Sequence, residues 1–261
     1  MRLAHRALLN LASALARSPL RARAPVAAQM GLSRETLALD APDIAILGGG
    51  FGGLYTALRL SSLDWGDRPR PHVTLIDRSD RFVFLPMLYE LATGATAAWE
   101  VAPLFEDILA GSGITFVQGE VRALDKAARL VEVAGVRSPG AGSEPTIQRV
   151  AYDACVVALG SEPSPASLPG AERALPFYSF KDATVLRQRL QTKRADTTTP
   201  LRIAIVGGGY IGVELAANLA RWGKSVRGSS SPSVDLTLIH RADCIMSNSA
   251  EFSRQVGPGG I

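Results

Sequence analysis

Cysteine is nearly absent: Cys155 and Cys244 are the only two in 261 residues. They lie 89 residues apart, so the chain has neither a CxxC redox pair nor a metal knuckle. Both are expected to be reduced, buried thiols, as free cysteines usually are. Long hydrophobic runs are also missing. The longest candidate, residues 44–58, is interrupted by five glycines, whereas a spanning helix needs about 18–20 predominantly apolar residues. This argues against a membrane span within the chain. Acidic residues are absent from the first 34 positions, which carry six arginines, namely Arg2, Arg6, Arg17, Arg21, Arg23 and Arg34. Six of the 28 basic residues therefore sit in the head, leaving 22 against all 24 acidic ones, and the body carries a net charge of −2. The overall +4 thus does not describe the body, where no basic patch for nucleic acid is visible. With 47% hydrophobic and 20% charged residues the chain reads as globular, and ordinary totals of 25 Gly and 16 Pro exclude collagen-like and low-complexity classes. One large domain or two small ones would fit.

At about 100° per residue, Ala4, Leu8, Leu11 and Leu15 fall on one side of a helix, with Arg2, Arg6 and Arg17 on the other. An amphipathic, Arg-rich, acid-free head followed by Pro19 and Pro25 reads as a transit peptide of a mitochondrion or plastid, spanning residues 1–39, with cleavage expected between Ala24 and Asp40. A surface helix of the mature domain is the alternative.

Glycines cluster at two places. Ile44-Ala-Ile-Leu47 reads as a buried parallel strand running into Gly48-Gly-Gly50-Phe51-Gly52-Gly53 and a helix over 54–63. Gly48 permits a tight turn, Gly50 lets the backbone approach a pyrophosphate, and Gly53 lets the helix pack closely on the strand. The helix start then offers free N–H groups and a positive dipole end to phosphates. A GxGxxG string alone is weak. It gains weight from a second strand, Val73-Thr-Leu-Ile76, with Asp77 at its carboxyl end, where an acid accepts hydrogen bonds from an adenosine ribose. The loop 64–71 accounts for the long interval between glycines and acid.

The same device recurs. Leu201 to Val206 leads into Gly207-Gly-Gly209-Tyr-Ile-Gly212, a helix over 213–222, and a second strand, Asp235 to Ile239. Where an acid would meet an unphosphorylated ribose stand His240 and Arg241. Without a carboxylate to repel it a 2′-phosphate is tolerated, and Arg241 is placed to pair with it, unless it is only a solvated surface charge. NADPH is thus at least as plausible as NADH. Two dinucleotide folds argue for FAD at the first site and NAD(P)H at the second, with hydride transfer between them. The run Tyr152 to Gly160 reads as an apolar strand closing the FAD domain in a tight turn. The fold class is therefore α/β with two Rossmann-like dinucleotide-binding domains of glutathione-reductase type: a FAD domain over 40–198 and a NAD(P)H domain over 199–261, the second incomplete.

These motifs resemble the pyridine nucleotide-disulfide reductase superfamily and, within it, the type II (alternative) NAD(P)H:quinone dehydrogenases. Phe84-Leu-Pro-Met-Leu-Tyr-Glu-Leu-Ala-Thr-Gly94 and Trp99-Glu-Val-Ala-Pro103 are the most specific strings, and they resemble the C-type branch of plants, algae and cyanobacteria. Ala158-Leu-Gly-Ser161, Pro176-Phe-Tyr178 and Gly207 to Ala216 share it. The resemblance implies that Gly48, Gly50, Phe51, Gly52, Gly53 and Asp77 bind FAD, with the backbone around Val121 near the adenine and Gly160 on the flavin side. It implies that Gly207, Gly209 and Gly212 cradle the NAD(P)H pyrophosphate. Glu214 matches a family glutamate near nicotinamide and flavin, and is the candidate catalytic residue. Its alternative is an acid favoured by the helix dipole. The reaction implied is two-electron reduction of a membrane quinone of plastoquinone, ubiquinone or naphthoquinone type without proton pumping, in a chloroplast, where plastoglobule and thylakoid are both open, or in a mitochondrion. A homodimer is left open.

Relative to that pattern the chain lacks later strands, an apolar strand ending in Gly-Asp and amphipathic closing helices, through which membrane attachment would be expected. The expectation is that residues 40–261 alone bind FAD weakly. A disulfide reductase would need a CxxxxC pair, and residues 82–91 contain no cysteine. Two alternatives stay open: another FAD/NAD(P)H reductase of the superfamily, and a non-catalytic nucleotide-binding fragment.

Overall fold

The computed structural model describes residues 41–135, 146–162, 169–195, 200–227, 234–242 and 245–246. The expected transit peptide, Cys244 and the tail from Ser247 lie outside the described residues. In chain order the elements are β1 (Asp43–Leu47), α1 (Phe51–Ser62), β2 (His72–Asp77), α2 (Leu88–Thr93), α3 (Ala98–Val101), α4 (Phe105–Leu109), β3 (Thr115–Asp125), β4 (Leu130–Gly135), β5 (Ile147–Ala151), β6 (Ala154–Val157), α5 (Phe180–Ala195), β7 (Leu201–Val206), α6 (Tyr210–Arg227) and β8 (Val234–Ile239). Residues 41–83 and 102–162 form one compact unit. Residues 84–101 form a second, together with the described residues beyond 162. Both are mixed α/β, the class the sequence predicts.

In the first unit β1 and β2 are parallel, with α1 as the crossover between them. Their largely apolar centres suit strands covered on both faces, and Ala45, Ile46, Leu47, Leu75 and Ile76 are all buried. Each such side chain contributes about 1.5–3 kcal/mol on burial, alanine less. α1 turns Gly53, Leu54 and Ala57 inward, and this mostly small-residue stripe lets it lie close on the sheet. β3 begins parallel to β2, passes a bulge between Val121 and Ala123, and continues as the first strand of an antiparallel meander with β4 and β5. β6 then returns to pair parallel with β1. The sheet order is β5-β4-β3-β2-β1-β6. β1 therefore has β2 on one side and β6 on the other, and at such a reversal an open α/β sheet leaves a crevice at the carboxyl ends of its strands. Cys155, in β6, is half-buried rather than fully buried as expected, and burial pushes its thiol pKa up.

In the second unit β7 and β8 are parallel and in register from Leu201↔Val234 to Val206↔Ile239. α6 packs on them through Leu215, Leu219 and Trp222, which cluster with Ile205, Leu190 of α5 and Tyr89 of α2. A Cβ at Gly223 would lie 2.9 Å from the Val234 side chain, so glycine allows the close helix–strand approach. α5 opens on a capping box: the Asp182 carboxylate accepts the Ser179 N–H at 2.9 Å while Ser179 Oγ accepts the Asp182 N–H at 3.2 Å. α2 ends at Gly94, whose φ of +79° closes the helix in the left-handed conformation. Although the 84–101 segment lies in sequence between β2 and β3, its packing partners are α5 and α6.

Candidate functional site

The first glycine loop leaves β1 at Leu47 and is tied at once to β2, the Gly48 N–H donating to the Ile76 carbonyl at 2.8 Å. Gly48 has φ +101°, and a Cβ there would lie 2.3 Å from the Ala158 carbonyl oxygen. At Gly53 a Cβ would lie 1.7 Å from the Gly48 carbonyl oxygen. Gly50 is different, because a Cβ there would meet nothing within 4 Å. Gly50 is the N-cap of α1 and makes no side-chain cap bond, so the helix begins beside that open space. Open room at a helix N-terminus fits a phosphate. Phe51 starts α1 and meets Phe82 edge-on at 5.1 Å. Gly52 has only the Ala158 methyl near its Cβ position, at 3.8 Å.

Asp77 ends β2 and secures this loop. Its Oδ2 accepts the Gly49 N–H at 2.6 Å and its Oδ1 accepts the Ser79 N–H at 2.7 Å. A carboxylate has about four acceptor sites, so room remains for hydroxyl donors. Gly160, with φ +73°, follows β6 on the other flank of the loop. The chain reversal thus brings Gly48, Gly50, Gly53, Asp77 and Gly160 to one end of the sheet. Val121 sits on β3 at the bulge, three residues beyond Gln118, the partner of Asp77 in the ladder.

The second loop repeats the main contacts of this construction, although a Cβ at Gly207 would meet nothing within 4 Å where one at Gly48 would strike Ala158. The Gly207 N–H donates to the Ile239 carbonyl at 2.8 Å. Gly207 has φ +117°, and a Cβ at Gly212 would lie 1.8 Å from the Gly207 carbonyl oxygen. At Gly209, as at Gly50, a Cβ would meet nothing within 4 Å. The Gly208 N–H donates to His240 Nδ1 at 3.1 Å, so His240 stands where Asp77 stands in the first loop. Because Nδ1 accepts, the neutral ring carries its proton on Nε2, an atom that is buried with no hydrogen-bond partner. Arg241 follows on the surface.

Within the second unit a cleft of about 210 Å³ is lined by Leu85, Pro86, Leu88, Tyr89, Phe177, Tyr178, Ile211 and Glu214. Its wall is mainly apolar. Burial first, then the neighbouring Glu214 carboxylate and the charge of Glu90, push the pKa of the Tyr89 phenol well above the ordinary tyrosine value. Unfolded, the phenol ionises near pH 10. The stabilisation is therefore complete below pH 10 and is lost as pH rises through the higher folded value. Thermal melts of Tyr89→Phe are expected to fall less steeply between pH 9.5 and 11 than those of the wild type; equal slopes would contradict the shift. Tyr89, Phe177 and Tyr178 belong to the specific strings quoted above, but no local signal assigns them to a common cleft. Among the described residues no group of three or more His, Cys, Asp or Glu is placed to hold a metal ion.

Residues 42–257 match the pyridine nucleotide-disulphide oxidoreductase family. The chain belongs to this family. It is 43% identical over 216 residues to demethylphylloquinone reductase NdbB of Synechocystis, an alignment covering 82% of this chain and 50% of that protein. It is 44% identical over 186 residues to alternative NAD(P)H-ubiquinone oxidoreductase C1, chloroplastic/mitochondrial, of Arabidopsis thaliana, covering 69% of this chain and 36% of that protein. The chain thus spans half or less of the length of these relatives. Among solved structures, NDH2 of Plasmodium falciparum in complex with NADH superposes with a TM-score of 0.66 at 21% identity, over 83% of this chain and 46% of that one. At that identity the likeness establishes the fold. Among the described residues no helix is long and apolar enough to cross a membrane.

Proposed function

We propose that this chain forms the nucleotide-binding part of a flavin-dependent NAD(P)H:quinone oxidoreductase. The observation that carries the reading is the pair of strand–glycine–helix loops, each leaving open space at its middle glycine, Gly50 and Gly209, before the start of a helix. In this reading the first loop holds the FAD pyrophosphate, with Asp77 accepting ribose hydroxyls, Val121 beside the adenine and Gly160 on the flavin side. The second, with Gly207, Gly209 and Gly212, holds the NAD(P)H pyrophosphate. When bound, FAD supplies the two-electron relay between nicotinamide and quinone. Glu214 provides an acid on the apolar cleft wall beside the nicotinamide. The relatives named above, one acting on demethylphylloquinone and one on ubiquinone by name, support a membrane quinone as acceptor. Together with the cationic head, they also support a chloroplast or mitochondrion as the location. The experiment is reconstitution with FAD followed by NADPH oxidation with a short-chain benzoquinone. Stoichiometric flavin and quinone-dependent turnover are expected, and nucleotide binding without turnover would overturn the enzyme reading in favour of a binding fragment.

NADPH is accepted at least as well as NADH, because His240 replaces the carboxylate that a 2′-phosphate would meet and Arg241 adds a cation beside it. His240→Asp is expected to move the NADPH/NADH ratio of kcat/KM by about tenfold or more toward NADH. An unchanged ratio would remove position 240 from the ribose site.

A further inference from the structure

We propose that Met246 is a positioning residue of the second glycine loop: its backbone N–H, by holding the Gly208 carbonyl, sets the peptide between Gly208 and Gly209 so that the Gly209 N–H is presented to the nucleotide diphosphate. The inference rests on the proposed function in that the second loop holds the NAD(P)H pyrophosphate.

Gly208 is gripped on both sides. Its N–H donates to His240 Nδ1 at 3.1 Å, and its carbonyl accepts the Met246 N–H at 2.6 Å. These bonds act on different peptide planes, because the N–H lies in the plane shared with Gly207 and the carbonyl in the plane shared with Gly209. A trans peptide is flat, with its C=O and N–H pointing in opposite directions, and the described residues contain no cis bond. Fixing the Gly208 carbonyl against Met246 therefore fixes the Gly209 N–H on the side away from Met246. The Gly209 carbonyl is engaged by α6, accepting the Val213 N–H at 3.0 Å. The helix thus holds one side of Gly209, and Met246, through Gly208, holds the other. A Cβ at Gly209 would meet nothing within 4 Å, so a diphosphate has room beside an amide whose direction is set in advance. A donor fixed beforehand binds an anion without first having to be ordered.

Met246 makes its bond from a conformation that a non-glycine residue seldom takes. Its φ is +54°, in the left-handed region, where the Cβ crowds the backbone. Such strain persists where the surroundings over-determine it, and it gathers at ligand clamps. The surroundings here are close: a Cβ at Gly208 would lie 2.8 Å from His240 Cγ and 3.1 Å from Ile245 Cγ2, so the ring and the Ile245 side chain close on the same glycine. In the first loop the matching Gly49 is held on its N–H by Asp77, and a Cβ there would lie 2.4 Å from Phe105 Cζ. There the cover is a ring carried by α4. In the second loop it is the Ile245–Met246 turn, which also donates a hydrogen bond.

Two readouts test this on the full chain. The first needs no substitution. By linkage, a bond that favours nucleotide binding is itself favoured by bound nucleotide, and by the same factor. The Met246 amide is therefore expected to exchange its hydrogen about tenfold more slowly with saturating NADPH than without; an unchanged rate overturns the proposal. The second compares Met246→Pro, which removes the N–H and cannot take a positive φ, with Met246→Gly, which keeps the N–H and takes that φ freely. Met246→Pro is expected to raise the dissociation constants of NADPH and NADH about tenfold alike, since both carry the same diphosphate, with that of FAD within about twofold. Met246→Gly is expected to bind NADPH within about twofold of the wild type. A shifted NADPH/NADH ratio in Met246→Pro would move Met246 to the ribose end of the nucleotide. An equal loss of FAD, or an equal loss in Met246→Gly, would make the turn merely structural. Each of these results overturns the proposal, as does a Met246→Pro protein that binds both nucleotides like the wild type. If Met246→Pro fails to fold, the exchange measurement decides. A wild-type protein that binds neither NADPH nor NADH defeats instead the reading of the second loop as a nucleotide site, and with it the role of Met246.

Discussion

Gly53→Ala is expected to lower the melting temperature of the protein by about 10 °C and to abolish measurable FAD binding. The added methyl would sit 1.7 Å from the Gly48 carbonyl oxygen, and backbone on both sides of the clash leaves no flexible group to yield. α1 would have to lift from β1. That movement opens the packing of Leu54 and Ala57 and displaces the helix start from the glycine loop. Overpacking of this kind costs about 3 kcal/mol, a large share of the stability of an ordinary domain. Gly50→Ala separates folding from binding. Its methyl would meet nothing within 4 Å and its φ of −68° is one that alanine adopts freely. The fold should therefore melt within about 2 °C of the wild type, while the FAD dissociation constant rises about 30-fold because the methyl takes the place of a phosphate oxygen. Calorimetry and flavin-fluorescence titration read the two effects. A Gly50→Ala protein that binds FAD as the wild type does would place the pyrophosphate elsewhere.

Both glycine loops are legible because everything that specifies them is local. An apolar strand, a turn needing positive φ and a helix start follow one another within a dozen residues, and the described strands differ from the predicted ones by one residue or two. α1 begins at Phe51 and α6 at Tyr210, three residues before the sequence reading places each, because the last glycines of each loop, Gly52, Gly53 and Gly212, already lie in the first helical turn. The β3–β5 meander is not legible. Its last strand, β5, carries Gln148 and Arg149 exposed among apolar neighbours, so no alternation separates it from a loop. The Ser179–Asp182 capping box is a readable start signal for α5, but the helix behind it is so polar that periodicity offers no support. The cleft is hidden for another reason. Tyr89 and Glu214 are 125 residues apart, and nothing local indicates that 84–101 leaves the strands flanking it to pack with α5 and α6. Such a placement is decided by which apolar surfaces fit together, here Tyr89 against Phe177 within the cluster that also holds Leu190 and Leu215, and one sequence does not display fit.

Asp77→Asn should cost about 2–3 kcal/mol of stability and raise the FAD dissociation constant about 100-fold, although the change replaces a single oxygen by nitrogen. The carboxylate accepts two backbone N–H groups at once, one on each oxygen, from Gly49 and Ser79. Asparagine has one acceptor oxygen. Whichever N–H it serves, its amide group confronts the other donor to donor, leaving a half-buried backbone group unsatisfied and the glycine loop free to shift. A ribose acceptor is lost in the same step. The second loop predicts the opposite sensitivity. His240 ties down a single N–H, that of Gly208 at 3.1 Å, through one neutral nitrogen. The carbonyl oxygen of His240→Asn can replace that bond, so the cost should stay under about 1 kcal/mol, with nucleotide affinity changed less than tenfold. Chemical denaturation with FAD and NADPH titrations of both variants measures the contrast. Equal penalties at the two positions would mean that the two-handed grip of Asp77 on the backbone is incidental.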